Sequence, residues 1–306
     1  MDDGARQREE GSAPLVSIGL PVYNGAACIE RALDSLLGQD LDDFEIVICD
    51  NASEDATPKI CAAYAARDAR IQLHRNPTNV GLVANFNRTF ELSRGTYFRW
   101  AAHDDWHAPD TLRTTVGLLE RNPAAVACGS AVSIVDEQGR PQGVWHPTVD
   151  LDVADARRRF HRLIFMLGWP HLLFGTLRSS ALGRTHLMQS YLASDRVLLA
   201  ELSLLGPILH TPRTLHFYTQ ASTVERRGYQ PSVLYSFANR DTLPLRTARL
   251  IVKHLEVVHR SGLGPLDRAA LAASVIGRFG VRDFRRLAAE LYHSALILGA
   301  RAVRRQ

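Results

Sequence analysis

The 306-residue chain has little lysine, few cysteines and no long hydrophobic run. Only Lys59 and Lys253 are lysines among 36 basic residues, so arginine carries nearly all of the positive charge. The basic residues exceed the 32 acidic residues by four, which is too small a balance to indicate a nucleic-acid-binding protein. The apolar runs fall well short of the roughly 18–20 residues that a membrane-spanning helix needs, which argues against a membrane-embedded protein.

The four cysteines contain no CxxC pair, and each lies in an apolar stretch. This pattern predicts small buried residues in a reducing compartment and excludes a disulfide framework or a zinc site. The first eleven residues are polar and lack the apolar segment of a signal peptide. We therefore expect a cytoplasmic protein. The cysteines are Cys28, Cys49, Cys61 and Cys128.

What is present is an alternation of strand-like and helix-like segments over the first 135 residues. Such alternation predicts βαβ units, an α/β fold and a mainly parallel sheet flanked by helices. After Val135 the rhythm changes: 136–139 reads as a turn between two edge strands, and the chain is helical from about residue 232. The predicted strands are Leu15–Tyr23, Phe44–Asp50, Ile71–His74, Tyr97–Ala101, Ala125–Gly129, Leu172–Leu177 and Thr214–Tyr218. The predicted helices are 26–37, 57–64, 81–93, 110–121, 154–167 and 196–205.

Polar side chains follow three of the predicted strands, at Tyr23-Asn24, Asp50-Asn51 and Asp104-Asp105. Ligands of parallel α/β sheets bind outside the carboxyl ends of the strands, so these residues should converge on one edge of the sheet, the rim. Adjacent carboxylates such as Asp104 and Asp105 suit Mg²⁺ or Mn²⁺, which could neutralise a leaving diphosphate. The alternative for this pair is a solvated turn that caps the next helix.

Two further segments carry polar residues at strand or helix ends. Asp50 could accept a base N–H or a ribose hydroxyl, or it could form an Asx turn or a helix cap. Asn79, Gly81 and Asn85 lie at a helix start, where asparagine is commonly a cap and glycine permits a tight turn.

Taken in order, four segments resemble the nucleotide-binding half of the family 2 glycosyltransferases. The likeness extends over about residues 15–125. It implies a GT-A fold, which is a Rossmann-like sheet, together with a nucleotide-diphospho-sugar donor, a divalent metal (Mg²⁺ or Mn²⁺) and inversion at the anomeric carbon. The four segments read VSIGLPVYNG, ALDSLLGQDLDDFEIVICDNASEDAT, HRNPTNVGLVANFN and WAAHDDWHAPDTL.

The resemblance assigns roles residue by residue. Those assigned to the nucleotide sugar are Pro21, Tyr23 and Asn24 in the first turn, Asp50, Arg75 near the base, Asn79 and Gly81 of an NxG element, and Asp104 near ribose and diphosphate. Asp105 matches the metal-binding aspartate. One departure is Ala102, which stands where the fullest motif has a further carboxylate, so the implied metal site has fewer acidic ligands.

Inverting transfer needs a general base beside the acceptor hydroxyl. Asp195 lies just before an apolar helix, and it resembles the family's acidic position at such a helix, so it is the expected base. A plain helix N-cap is the alternative, and Asp155 and Glu201 are weaker candidates. Ser222, Thr223, Arg226 and Arg227 could close over the diphosphate, or they could form an ordinary solvated loop.

The predicted organisation is a polar tail (1–13), a GT-A domain (14–220) and a mobile loop with a helical C-terminal extension (221–306). The GT-A domain divides into a nucleotide-sugar half (14–130) and an acceptor half (131–220). Residues 282–306 hold six arginines against two acids on an amphipathic helix. This helix either packs on the catalytic domain or makes peripheral contact with the inner face of the cell membrane.

The expected function is an inverting glycosyltransferase of cell-surface polysaccharide or lipid-linked glycan synthesis. A small natural-product acceptor is the alternative within this class. A sugar nucleotidyltransferase has a similar sheet, but PVYNGAACIE lacks the glycine-rich, basic phosphate loop of that class. A nucleotide-sugar-binding protein without catalysis is a third interpretation, and Ala102 is the residue that suggests it.

Overall fold

The centre of the sheet consists of strands that are buried along their whole length. A computed structural model of the chain describes residues 13–166, 168, 171–220 and 245–303. Strands β1 (Val16–Val22) and β2 (Phe44–Asp50) are buried at every position, as expected where helices cover both faces of a sheet. They pair in parallel, and β3 (Ile71–Arg75) and β4 (Tyr97–Trp100) extend the parallel sheet beyond β2 and β1.

The second half of the sheet is mixed. The strand order is β3-β2-β1-β4-β8-β6-β9-β5, with β7 paired to β6, among the described residues. The mainly parallel prediction holds for β1–β4, but β8 runs antiparallel to both of its neighbours. The remaining strands are β5 (Trp106–His107), β6 (Ala127–Val135), β7 (Pro141–Trp145), β8 (Thr176–Arg178) and β9 (Ile208–Thr219).

Two local predictions differ from the structure. The strand before the 136–139 turn is not an edge strand, because the twelve-residue β9 pairs along β6 while β8 and β7 occupy its other side. The predicted strand Leu172–Leu177 divides into a 3₁₀ turn (His171–Phe174) and the short β8. In both cases long-range pairing decided the outcome, and the local pattern did not contain that information.

Helices cover the sheet at nearly the predicted positions. Those of the sheet region are α1 (Ile29–Leu37), α2 (Thr57–Ala65), α3 (Leu82–Glu91), α4 (Thr111–Arg121), α5 (Ala156–Met166), α6 (Ser179–Leu182) and α7 (Ser194–Leu205). Helix α1 shows why these segments fold as they do: Ile29, Leu33 and Leu36 recur at helical spacing and are all buried.

The C-terminal extension is helical, as expected. It comprises α8 (Arg246–Arg260), α9 (Pro265–Val275), a π-helical stretch (Ile276–Arg282) and α10 (Phe284–Val303). Val257, Leu271 and Phe279 share one buried hydrophobic cluster with Leu198 of α7, so the extension packs on the sheet domain. Among the described helices none is both long and apolar enough to cross a bilayer. The predicted loop residues Ser222, Thr223, Arg226 and Arg227 lie outside the described residues, as does the predicted tail before residue 13.

Candidate functional site

The carboxyl ends of β1, β2 and β3 meet in one polar cluster around Ser53. Its backbone N–H donates to Oδ1 of Asp50 at 3.1 Å, and its hydroxyl accepts from the N–H of Asn24 at 2.9 Å. Arg75 donates to the carbonyl of Ser53 at 2.9 Å and lies 3.3 Å from Oδ2 of Asp50. The convergence expected from the strand ends therefore occurs for Asn24, Asp50 and Arg75.

Asp50 is the deepest group of this cluster, with 1% of its side chain exposed, whereas Arg75 is 55% exposed. Oδ2 of Asp50 is buried and makes no hydrogen bond within the described residues, although the Arg75 guanidinium faces it. A buried carboxylate oxygen without a donor is costly unless a ligand supplies one. This oxygen can accept a base N–H or a ribose hydroxyl. Tyr23 lies beside the cluster with 41% of its surface exposed, so its ring is available to a ligand.

A chain of asparagine side chains fixes the loop after β3. Asn51 donates to Asn79 at 2.8 Å, and Asn76 donates to both Asn51 and Asn85 at 2.9 Å. Asn85 donates onward to the carbonyl of Cys49 in β2 at 2.8 Å, which ties the loop to the sheet. These bonds place Asn79 at the exposed end of a buried network.

Glycine is needed at two turns of this rim. Gly81 has φ of +90°, a conformation that L side chains rarely adopt, and its N–H donates to Oδ1 of Asn79 at 2.9 Å. A Cβ at Gly25 would lie 2.6 Å from the His103 ring, so the β1 turn and the segment before the acidic pair pack directly together. The predicted Pro21 is buried within β1, where it pairs with Cys49 of β2.

The adjacent aspartates occupy different environments. Asp105 is 2% exposed: Nε2 of His216 donates to its Oδ2 at 2.8 Å, and the Thr219 N–H donates to Oδ1 at 2.9 Å. Asp104 is partly exposed, and its carbonyl accepts from Arg31 and from the Thr219 hydroxyl. His216 and Thr219 of strand β9 thus hold the Asp105 side chain in place, whereas Asp104 is partly exposed.

Arg31 of α1 forms one wall of a cavity at Asp104. Its guanidinium lies 4.0 Å above the Trp106 ring and donates to the Asp104 carbonyl at 3.3 Å and to Thr219 Oγ1 at 3.2 Å. Its hydrogen-bond acceptors are neutral, and no described carboxylate lies within ion-pair distance of it. The cavity has a volume of about 360 Å³. Its lining residues are Ala27, Cys28, Glu30, Arg31, Asp104, Glu137 and Thr219.

A buried cluster of basic side chains adjoins His216, the hydrogen-bond partner of Asp105. Arg99 is completely buried, and its Nη2 lies 3.3 Å from Nδ1 of His107. Burial, together with the charge of Arg99 and the neighbouring His216, lowers the pKa of His107 well below its usual value. Burial likewise lowers the pKa of Arg99 to about 10, which still leaves it charged at neutral pH. His107 is therefore neutral, and Arg99 carries the positive charge of the Arg99–His107 pair.

Asp195 occupies the second position of α7, two residues after Ala193, whose backbone is left-handed with φ of +69°. Within the described residues its side chain accepts one hydrogen bond, from the Arg196 N–H at 2.9 Å. Burial raises the pKa of Asp195 above its usual value, while the charges of Arg196 and Arg246 oppose that rise. A carboxylate with a raised pKa is suited to accepting a proton near neutral pH. Among the described residues, no hydrogen bond joins Asp195 to the rim.

The two other candidates for the base have structural partners. Glu201 accepts hydrogen bonds from the backbone and from the ring of His186, and Asp155 accepts the Arg157 N–H at the start of α5. Both carboxylates hold local structure, which leaves Asp195 as the better candidate.

The acidic pair fits a metal that is held jointly with a substrate. Among the described residues no group of three or more His, Cys, Asp or Glu side chains could hold an ion. Mg²⁺ commonly binds through one or two carboxylates and completes its shell with substrate phosphates and water. A carboxylate also has about four lone-pair sites, so the two hydrogen bonds to Asp105 leave it capacity for a cation.

Several functional residues were absent from the sequence-based set. Arg31 lies in the first turn of α1 without a local signal, and His216 lies 111 residues from Asp105. Asn76 follows the end of β3, as the predicted residues follow their strands, so its position was a usable signal. Arg31 and His216 could be identified only from the tertiary structure.

The fold agrees with the comparisons to known proteins. A family model described as "Glycosyl transferase family 2" matches residues 17–189, more than half of the chain. The chain therefore belongs to glycosyl transferase family 2. The matched region contains the whole rim and the acidic pair, and it ends shortly before Asp195.

Individual relatives match over part of their length. The chain is 33% identical over 129 residues to "Putative glycosyltransferase EpsE" of Bacillus subtilis, covering 42% of this chain and 46% of that relative. It thus spans less than half the length of this relative.

Two solved structures share the fold. TarS of S. aureus in complex with UDP-GlcNAc is 17% identical with a TM-score of 0.63, covering 86% of this chain and 72% of that one. The mannosyltransferase PcManGT from Pyrobaculum calidifontis in complex with GDP-Man and Mn²⁺ is 20% identical with a TM-score of 0.54, covering 96% and 81%. At these identities the likeness establishes the GT-A fold and no more.

Proposed function

We propose that the chain is an inverting glycosyltransferase that moves a sugar from a nucleotide-diphospho-sugar to an acceptor hydroxyl. The observation that carries this proposal is the buried Oδ2 of Asp50, which lacks a hydrogen-bond donor at a family-matched rim. The bound UDP-GlcNAc and GDP-Man of the two similar structures support a donor of this class.

The rim supplies binding and orientation for the donor. Asp50 accepts a hydrogen bond from the nucleoside, and Arg75 balances the charge of Asp50 and lies near the base. Tyr23 packs against the base, with Asn24 in the turn that carries it and Pro21 in the strand just before that turn. The asparagine network holds Asn79 and Gly81 in place, so the donor meets a rim that is already ordered. Such preorganisation lowers the entropy lost on binding.

Asp104 and Asp105 would hold Mg²⁺ or Mn²⁺ together with the donor diphosphate. Bound there, the ion would neutralise charge that develops on the leaving diphosphate. His216 and the Thr219 N–H keep the Asp105 carboxylate in one orientation. Arg31 adds a fixed positive charge at the edge of the same cavity.

Asp195 acts as the general base. It takes the proton from the acceptor hydroxyl as that oxygen attacks the anomeric carbon, in line with the departing diphosphate. The bond to the acceptor oxygen forms as the bond to the diphosphate breaks, so configuration inverts. Because burial raises the pKa of Asp195, its basicity is better matched to an alcohol proton than that of an exposed aspartate.

The acceptor we favour is a growing cell-surface polysaccharide or a lipid-linked glycan, made on the cytoplasmic side of the membrane. EpsE, named as a putative glycosyltransferase, supports the broad class. A small natural-product alcohol is the alternative acceptor. These two classes of acceptor would bind in the acceptor half of the protein. A screen of acceptors therefore distinguishes them without any change to the donor site.

A donor screen tests the proposal. The chain is incubated with UDP-, dTDP- and GDP-sugars and Mg²⁺ or Mn²⁺, and both thermal shift and donor hydrolysis are measured. We expect one nucleotide family to raise the melting temperature, with a larger shift when metal and nucleotide are added together. No response to any donor would contradict the proposal.

Two variants make the screen specific. Asp50→Asn should weaken the nucleotide-induced shift, and Asp105→Asn should remove the extra shift from metal while leaving the nucleotide shift largely intact. The exposed Asp152→Asn serves as the control, since its side chain lies away from the rim. A sugar nucleotidyltransferase would instead form a nucleotide sugar and pyrophosphate from a nucleoside triphosphate and a sugar phosphate. That product would refute glycosyl transfer.

A further inference from the structure

One face of the sheet beside Asp105 carries a group of aromatic side chains. Trp145 of β7 lies opposite Val132 of β6, and Val132 lies opposite His216 of β9. Residues that pair directly across strands project from the same face, so Trp145 and His216 share this one. His171, from the 3₁₀ turn, lies between them, with its ring centroid 5.7 Å from each of the other two rings.

Two residues further along the strands, the same face is open to solvent. Gly143, Ile134 and Tyr218 lie opposite one another in β7, β6 and β9, and the Tyr218 ring is 5.1 Å from that of His171. Gly143 is exposed, and apart from its chain neighbours no described atom lies within 4 Å of the position of a Cβ there. Ile134, Tyr218 and Trp145 are partly exposed. We call these five residues the aromatic platform: Ile134, Gly143, Trp145, His171 and Tyr218.

The aromatic platform is linked to both carboxylates to which the proposed function gives chemistry. His216 contacts the platform on one side and donates to Oδ2 of Asp105 at 2.8 Å on the other. Leu172 of the 3₁₀ turn shares a buried hydrophobic cluster with Val197 of α7, the helix that carries Asp195 in its first turn. A molecule that rests on the platform is therefore on the side of the sheet that holds the proposed base.

The side chains of the platform suit a saccharide. Each of Trp145, His171 and Tyr218 has an apolar ring face and a polar group at the ring edge. A sugar ring is built the same way, with C–H groups on its faces and hydroxyls around its edge, and such C–H groups pack on the negative face of an aromatic ring. Burial and the nearby His216 lower the pKa of His171 to about 3, so its ring is neutral at pH 7. The platform therefore offers a sugar stacking surfaces and offers a charged headgroup no ionic partner.

We propose that the aromatic platform binds saccharide units of the acceptor behind the sugar whose hydroxyl is glycosylated. This inference rests on the proposed function and narrows its acceptor to a glycan chain. Trp145 and His216 are two strands apart, about 10 Å at the usual strand spacing, so the platform is long enough for more than one sugar ring. A compact natural-product alcohol would reach the proposed base without contacting Trp145.

Calorimetric titration of the full chain with hexasaccharides of glucose, galactose, mannose and N-acetylglucosamine tests the proposal. We expect at least one hexasaccharide to bind more tightly than its disaccharide, and equally at low and high salt because the platform is uncharged. Trp145→Ala should weaken that binding about tenfold, as is usual for removal of an aromatic anchor. Gly143→Ile should also weaken it, because the new side chain enters the open space, and it should keep the melting temperature, since a β-branched residue suits a strand.

Val144→Ala is the matched control. Val144 lies between two platform residues on the opposite face of β7 and is 51% exposed, so this variant should bind the hexasaccharide as the unaltered chain does. Donor hydrolysis by water is the second readout, because it uses the donor site without a glycan. Trp145→Ala and Gly143→Ile should leave the hydrolysis rate unchanged.

The outcomes separate this inference from the proposed function. Binding of no hexasaccharide, full binding by both platform variants, or equal loss in Val144→Ala would overturn the platform as a saccharide site. Tighter binding of an aromatic alcohol such as 2-naphthol than of every hexasaccharide would overturn it as well, and so would a matching loss of donor hydrolysis in Trp145→Ala. Absence of donor hydrolysis by the unaltered chain would instead contradict the proposed function, while the titration would still measure sugar binding at the platform.

Discussion

Asp50 is buried and Asp195 is partly buried, and the surroundings of the two carboxylates differ. Asp50 has the Arg75 guanidinium 3.3 Å away, at the end of the neighbouring strand β3, and the Ser53 N–H at 3.1 Å, from the turn after its own strand β2. Asp195 receives one N–H from its own neighbour, and the arginine charges near it do not fully offset burial. Asp50 is therefore fixed by contacts from two segments of the chain, whereas Asp195 is a carboxylate ready to take a proton.

The same contrast holds for the two regions around these carboxylates. The rim of β1–β3 holds a network of hydrogen bonds in which Asn51, Asn76 and Asn85 are buried and paired. The start of α7 is a single helix end that follows a left-handed Ala193. An ordered rim with an open acceptor at Oδ2 of Asp50 suits ligand binding, whereas a proton acceptor needs a carboxylate with few other partners. The predictions below probe this division of roles.

The largest effect should come from Asp195→Asn. A positioned general base contributes roughly 10²- to 10⁴-fold, so transfer should fall by about that factor while donor binding persists. Because the folded state raises the pKa of this carboxyl, its ionised form destabilises the fold above the usual aspartate pKa. Removing the charge should therefore leave the melting temperature at pH 7 unchanged or raised. Initial rates and calorimetry check both parts.

Asp152→Asn is the matched control for this variant and should change neither quantity. Unaltered transfer by Asp195→Asn would show that another group accepts the proton. A large fall in melting temperature would show that the carboxylate serves mainly as a helix cap.

In the rim, Asn76→Ala should act on stability instead. It removes the donor to both Asn51 and Asn85 inside the buried network. Asn51 Oδ1 still accepts the Val80 N–H, but Asn85 Oδ1 is left without a donor, which costs about 1–3 kcal/mol. Urea unfolding measures the loss. Asn79→Ala deletes the same amide at the exposed end of the network, so it should cost less than about 1 kcal/mol and mainly weaken donor binding. Equal losses from both variants would mean that the network has no buried core.

Asp50→Asn should separate charge from shape at the rim. The amide keeps an oxygen for the Ser53 N–H, but it weakens the pairing with Arg75 and the hydrogen bond offered to the nucleoside. A hydrogen bond to a charged group is worth more than a neutral one, so the donor KM should rise about tenfold with kcat nearly constant. A fall in kcat with unchanged KM would show that Asp50 acts in the chemical step. The assignment of binding to Asp50 and of catalysis to Asp195 would then be wrong.

The rim was predictable from the sequence because its residues follow strand ends, and strand ends of a parallel sheet meet at one edge. Asp50, Arg75 and Asn24 meet there as expected. The partners of the acidic pair were not predictable: His216 and Thr219 reach Asp105 from β9, a strand whose pairing with β6 and β5 is long-range. The mixed order β4-β8-β6-β9 likewise depends on pairings across large sequence separations, which period and turn signals do not encode. The division at residues 14, 131 and 221 and the individual site roles stay predictions.

The smallest expected effect concerns the pH dependence of Asp195. The positive charge of Arg246 holds the pKa of this carboxyl down against the effect of burial. Arg246→Ala should therefore raise that pKa further and move the acid limb of the kcat profile to higher pH by a few tenths of a unit. Arg249→Ala, one turn along the same helix, should leave the limb in place. Because the base must be ionised to act, a shift to lower pH would have the wrong sign for a carboxylate base at this position. No comparable substitution of a distant charge is available for Asp50, because the groups that hold its carboxylate lie at hydrogen-bond distance.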